Sequence, residues 1–371
     1  KKPGAAELRQ WTAVAIGEKR YDTLKQFPRP DYSMNDEYPK VKRAWTISSE
    51  ANIISTPAVS ADKVMVGNQN GRMACMDMKT GNELWSYQTK GSIYSSPATT
   101  SNRVVYGSGD GNIYCHEVSS GELTWKYETG TAILGSPLLH GDTVFIGGSG
   151  HAYYALNIKT GKPIWKFEGL NGPVVSKPLL YHGMLIFGAW DRNLYAVNST
   201  NGMPVWTWNN GSAVINYSPA SCIPVAHGGV VYVVAPDRFL SAIDASTGET
   251  LWRNNDGMVR ESIGLSTNGK WIYAKSMQDS IVMYATSREK QNAVKMNAGF
   301  GYEHVPSMLV EKNGLVYFGT KNGVVYCIDP QRQSVVWKHK IDNSMVNTVY
   351  LADDKTLVVS TMDGKVALLK F

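Results

Sequence analysis

The sequence predicts an all-β fold: eight four-stranded antiparallel units closed into a ring. Three observations predict it. First, a nine-residue segment recurs. Asp77 to Trp85 reads DMKTGNELW, and Glu117 to Trp125, Asn157 to Trp165, Asn198 to Trp206, Asp244 to Trp252 and Asp329 to Trp337 keep its pattern of polar residue, tight turn and strand ending at Trp. Second, the spacing of the units is nearly constant. Third, a lone copy of the last strand stands near the start of the chain, around Trp45. Self-similarity at a period of about 40 residues is the signature of a repeat architecture.

One unit, residues 53 to 88, shows the strands. Ile53 to Val59 is the first, Lys63-Val64-Met65-Val66-Gly67 the second, Arg72 to Met76 the third and Leu84 to Gln88 the fourth. Asn70-Gly71 suits a two-residue hairpin, in which both central positions want positive φ. Four short strands joined by tight turns form an antiparallel meander.

The end of the second strand serves as a ruler. It is expected at Gly67, Gly107, Gly147, Gly188, Val234, Ala274, Gly319 and Ser360, with steps of 40 to 46 residues. In six units a Trp follows by 18 residues: Trp85, Trp125, Trp165, Trp206, Trp252 and Trp337. In the sixth unit that place holds Asn292, and the turn has lost its Gly. The eighth unit runs out of chain before its fourth strand. Trp45 lies 40 residues before Trp85, in a strand with no unit of its own. The N-terminal strand is therefore expected to complete the last unit and close the ring, which leaves no unit face to be capped. This is the arithmetic of an eight-bladed β-propeller.

Residues 1–40 lie outside the repeat and read as a connector, or as the tail of an upstream domain; residues 41–371 form the propeller. Gln10 to Gly17, which includes Trp11, suits one strand. Phe27 to Pro39 carries Pro28, Pro30 and Pro39, and proline biases the residue before it away from helix, so an extended piece is expected there. The chain starts at Lys1 without Met, as a processed protein or an excised fragment would.

The bulk numbers agree. Tyr (20) and Trp (11) outnumber Phe (8), and with 35 Gly this mixture favours strands and turns. The formal charge of +6 is spread along the chain, without the clustered basic patch that nucleic-acid binding requires. No run of 18 apolar residues suggests a membrane span. Of the four cysteines, Cys75, Cys115 and Cys327 occupy matching places in separate units. Such places are too far apart to bridge, since a disulfide needs Cα atoms within about 7 Å. They read as buried small hydrophobes.

The units resemble the PQQ-like, or tryptophan-docking, propeller repeat, whose hallmark is D-x-x-T-G-x-x-x-W. The motif is clearest at Asp77 to Trp85 and Asp244 to Trp252. The resemblance implies that each Trp, Trp45 included, docks on the neighbouring blade. It implies two kinds of function. One is the quinoprotein dehydrogenases, which hold PQQ and usually Ca²⁺ in the funnel. The other is non-catalytic scaffolds such as the propeller lipoprotein of the bacterial outer-membrane assembly machinery. The chain is similar to the second in size. It lacks the adjacent Cys-Cys of the alcohol dehydrogenases, and neither their calcium ligands nor their catalytic Asp map onto it. No cofactor is expected. The expected function is an extracytoplasmic, monomeric scaffold with a protein or peptide partner. Alternatives are a PQQ-dependent dehydrogenase, and an accessory propeller of a larger enzyme such as a calcineurin-like metallophosphoesterase.

Candidate binding residues come from the channel-lining strands and from one off-column Trp. Thr56, Ser96, Ser136 and Lys177 each precede a Pro in the first four units. The later units offer Asn216, then Arg260 with Glu261, then Glu303 with His304. Charged groups converging in a concave site are the default place to look for binding. Trp190 sits in a loop between strands. No catalytic residue is assigned: Ser-His-Asp, HExxH, Walker and zinc spacings are missing, and Gly107 to Asn112 leads into a strand rather than the helix a phosphate loop needs.

Overall fold

In the computed structural model the described residues are 29–371. The strand expected at Gln10 to Gly17 lies outside them. Eight four-stranded antiparallel sheets follow one another around a ring. Blade one comprises Ala58–Ser60, Lys63–Gly67, Arg72–Asp77 and Glu83–Gln88, from the axis outward. Blade eight is Tyr350–Asp353, Thr356–Ser360 and Lys365–Lys370, completed outside by Lys42–Ser48. Trp45 stands opposite Leu368, so strands from the two ends of the chain close the ring as expected.

The local pattern explains this stacking. The second strands read KVMVG, RVVYG, TVFIG and MLIFG, buried on successive residues, because both faces of a blade press on neighbours. The outer strands are exposed on one side and alternate. The cores accordingly lie between blades. Met65, Met73 and Cys75 of blade one pack with Val104, Tyr106 and Tyr114 of blade two. The four cysteines are buried and free.

The recurrent Trp ties each blade to the next. Its indole N–H donates to a carbonyl of the following blade: Trp45 to Met78 at 2.8 Å, Trp85 to Val118 at 2.9 Å, Trp125 to Ile158 at 2.7 Å, Trp165 to Ser199 at 3.0 Å, Trp206 to Ala245 at 2.9 Å and Trp252 to Ser287 at 3.2 Å. Trp337 packs its ring on Phe371, with centroids 5.0 Å apart. The turn Gly completes the joint. Gly121 has φ 75°, and a Cβ there would sit 2.5 Å from Cδ2 of Trp85. One glycine thus serves the turn of its own blade and the ring of the blade before it.

Two expectations are corrected. The connector is not wholly extended: Ser33–Glu37 forms a 3-10 helix, started by Asp31 Oδ1 accepting Ser33 N–H at 2.9 Å. The proline bias reaches only the residue before each Pro, and this run contains none. The helix docks on the outer strand of blade seven. Asn35 Oδ1 accepts Lys340 N–H at 2.7 Å, and its Nδ2 donates to Lys340 O at 3.1 Å, as a pairing strand would.

The second correction concerns blade six. Seven second strands end on the ruler; this one continues past Ala274 to Ser276. Asn292 does not hold the Trp place but precedes the outer strand Val294–Tyr302. Cys75, on the face toward the next blade, pairs with Trp85; Met283, on the same face of blade six, pairs with Val294. A longer turn shifts the register. Val294 is exposed, so the Trp joint is missing there.

Candidate functional site

The inner strands enclose a cavity of about 850 Å³ on the ring axis. Hydroxyls of one blade cap backbone N–H groups of the blade before it. Thr56 N–H donates to Ser96 Oγ at 2.9 Å, Ser96 N–H to Ser136 Oγ at 3.0 Å, and Met308 N–H to Thr348 Oγ1 at 2.9 Å. Lys177 takes the corresponding place in blade four. It is the one charged side chain among the described residues that line the cavity. Burial pulls its ammonium below the usual lysine range.

The other expected residues do not line this cavity. Asn216 lies on the exposed 3-10 turn Ile215–Tyr217, because the connection between blades four and five is long enough to form its own loop. Trp190 is half-buried in the turn after the second strand of blade four, its backbone N–H donating to Pro173 O at 3.0 Å. Arg260 and Glu261 sit in an irregular stretch between the pairs Val259–Ser276 and Ile263–Ala274, with Arg260 Nε 3.2 Å from Glu261 Oε1. The topology puts these residues, with Glu303 and His304, on one face of the ring. That face carries the blade-to-blade connections and the turns between second and third strands.

Glu303 is buried and structural in its contacts. Oε1 accepts His304 N–H at 3.0 Å and Val305 N–H at 3.1 Å, and Oε2 accepts Lys321 N–H at 2.9 Å. It pins the connection from blade six to the second hairpin of blade seven. His304 is exposed, its ring 5.3 Å from that of Tyr302.

Beside these lies a residue that the sequence reading missed. Lys275 is buried, and its Nζ donates to Gly319 O at 3.0 Å and Val305 O at 3.3 Å, both in blade seven. Burial pushes its pKa down to about 8, against the pull of Glu303 and Glu261. Burial also raises the Glu261 carboxyl, against Arg260 and Lys275. The signal was visible: other second strands end on Gly, Val or Ser, whereas this one runs Ala274-Lys275-Ser276.

The exposed loop between blades four and five was expected only through Asn216, as part of the channel lining. It carries Val214, Ile215 and Tyr217, which are 48%, 55% and 39% exposed. It is anchored by Arg192 N–H donating to Ser218 Oγ at 2.8 Å, and by Asn210 Nδ2 donating to Tyr217 O at 3.0 Å and Asp237 Oδ2 at 2.8 Å.

These donors do not fit a calcium ion and its quinone. Among the described residues, no three His, Cys, Asp or Glu side chains converge as metal ligands. The channel lining presents hydroxyls, apolar groups and one ammonium.

The chain belongs to the PQQ_2 family, described as outer membrane protein assembly factor BamB, whose model matches residues 40–166, 109–223, 210–305 and 293–370. No curated protein matches the sequence. Solved structures of similar fold include BamB from Moraxella catarrhalis, with TM-score 0.71 and 16% identity, over 89% of this chain and 100% of that one. The computationally designed Ika8 protein superposes with TM-score 0.74 and 17% identity, over 87% of this chain and 98% of that one. The quinohemoprotein alcohol dehydrogenase ADHIIG from Pseudomonas putida HK5 superposes with TM-score 0.70 and 15% identity, over 92% of this chain and 78% of that one. At these identities the likeness is one of fold.

Proposed function

We propose that the chain is a non-enzymatic, extracytoplasmic scaffold, monomeric, that binds a protein partner on the face carrying the blade-to-blade connections. The observation that carries this reading is the loop with Val214, Ile215 and Tyr217. Three large apolar side chains stand exposed within four residues of one loop, on a rigid frame. Apolar and aromatic groups clustered on a surface loop are the usual anchors of a protein interface. Tyr302 and His304 extend the same face from blades six and seven. The family's description as an outer-membrane assembly factor supports both the role and the compartment.

The test is capture from bacterial envelope extracts with crosslinking, comparing the wild type with Ile215→Asp/Tyr217→Asp. The double variant should lose the partner and keep the wild-type melting temperature, because neither side chain is buried. Recovery of the same proteins by both would refute the assignment of the loop. The scaffold uses no cofactor, so adding PQQ and Ca²⁺ is expected to yield no dye-linked oxidation of alcohols or sugars.

A further inference from the structure

We infer that the central channel contains an anion site at Lys177, shaped for a carboxylate. The argument starts from the hydroxyl series around the axis. In blades one and two, a backbone N–H finds its acceptor on the next blade, at Ser96 Oγ and Ser136 Oγ. The next N–H in the series is that of Ser136, and the side chain at the corresponding place in blade four is Lys177. An ammonium has three donors and no acceptor. Ser136 N–H is left without the acceptor that Thr56, Ser96 and Met308 find. At this seam, unlike those that follow blades one, two and seven, two donors face the cavity and one of them is charged.

The ammonium itself lacks a counter-charge. Lys177 makes no ion pair and no hydrogen bond among the described residues, and no carboxylate lines the cavity. Lys177 is half-buried, and a charge partly withdrawn from water without a partner is disfavoured, a cost that an anion relieves. Ser176 lines the same cavity, and its buried Oγ has no hydrogen-bond partner, as is also true of the equivalent Ser95 in blade two.

The chemistry of the rest of the channel sets the ligand class. One cation matches one negative charge, which favours a carboxylate over a phosphate dianion. Around it the lining is apolar, including Leu138, Ile223 and Met308, so a hydrocarbon body is accommodated beside the charged end. At about 850 Å³ the cavity has the size of a small-molecule pocket and accepts either a short organic acid or the C-terminal end of a peptide. The ligand chemistry is the same for both. The site does not rest on the scaffold reading, because the loop with Ile215 and the channel share no residue.

Titration calorimetry at fixed ionic strength tests it. The probes are pentanoate, a tetrapeptide with a free C-terminus and the same peptide amidated. Saturable binding by pentanoate identifies a small organic acid as the natural class. Binding by the free peptide and not by the amidated one identifies a peptide terminus. Lys177→Ser supplies the residue type found in blades two and three, so it should fold and melt like the wild type or slightly higher. It should weaken binding at least about tenfold, the loss of one charged hydrogen bond. Lys177→Arg should keep binding. Equal affinity in wild type and Lys177→Ser, or no saturable binding by any probe, overturns the site.

Discussion

At the seam between blades one and two, Trp85 donates to Val118 O at 2.9 Å, and Gly121 at φ 75° leaves room for its ring. At the seam between blades six and seven, Val294 stands exposed in the Trp place. The corresponding turn position in blade seven is Gln333, at φ 50°. The two halves of the joint are lost together. Without an indole to admit, nothing but the turn itself asks for glycine. The seam still needs a buried aromatic from the outer strand, and it finds one elsewhere. The strand Val294–Tyr302 runs nine residues and buries Met296, Ala298 and Phe300. Phe300 meets Phe318 and Tyr326 edge-on, at 5.8 and 6.1 Å. The fastener has moved along the strand toward the face that carries Glu303, His304 and Lys275. A ring of repeats can therefore relocate one joint and use the altered seam for polar groups.

The sharpest way to break this comparison is to truncate the residue at the Trp place in an ordinary blade and in blade six. Trp125→Ala should lower stability by about 3–5 kcal/mol, as large aromatic truncations in cores do. Val294→Ala, at the equivalent place in blade six, should change it by no more than about 0.5 kcal/mol. Denaturant unfolding of both variants measures the contrast, and equal losses would mean that the joint was not relocated.

A smaller effect should come from the buried charge. The folded pKa of Lys275, about 8, lies below its ordinary value of 10.5. Between these limits the unfolded chain binds more protons than the folded one, so this group's contribution to stability rises with pH. Below about pH 8 both states are protonated and the penalty is constant. Lys275→Met should flatten that rise, read from melting temperatures across the alkaline window. An unchanged pH slope would place the ammonium in water rather than in the seam.

The smallest effects belong to the turns. Gly121→Ala should cost about 1–3 kcal/mol, since it strains φ and meets an indole. Gln333→Gly should gain a few tenths of a kcal/mol at most, because only its own φ is relieved. A loss at Gln333 as large as that at Gly121 would show that its side chain serves the seam.

Most of the fold could be read from spacing, because one aromatic residue per blade marks a fixed place in every strand pairing. The pairing of Lys42–Ser48 with Lys365–Lys370 followed from a single displaced Trp. Blade six could not be read in this way. Its turns differ in length, so counting forward from Ala274 led to Asn292 instead of Val294. Lys177 was found because it interrupts a Ser/Thr-Pro series at a constant position. Asn216 was assigned to the channel by the same counting, and failed where the connection grew its own 3-10 turn. Lys275 was overlooked because the reading sought charge in the inner strands, whereas this lysine enters from the second. The apolar loop was not foreseen, since no local pattern separates exposed Val and Ile from buried ones.

The strand Lys42–Ser48 has a consequence for the order of events in folding. Its partner, Lys365–Lys370, lies at the opposite end of the chain. As the chain emerges from the N-terminal side, blades one to seven can form as local meanders, each from contiguous residues. The eighth cannot. The strand Lys42–Ser48 must wait, with its hydrogen-bonding edge unpaired, until residues 365–370 have been made. Ring closure depends on one contact of long sequence separation, and until it forms the strand's edge is open to other edges. Such a chain would gain from a chaperone that covers residues 42–48 until the ring can close.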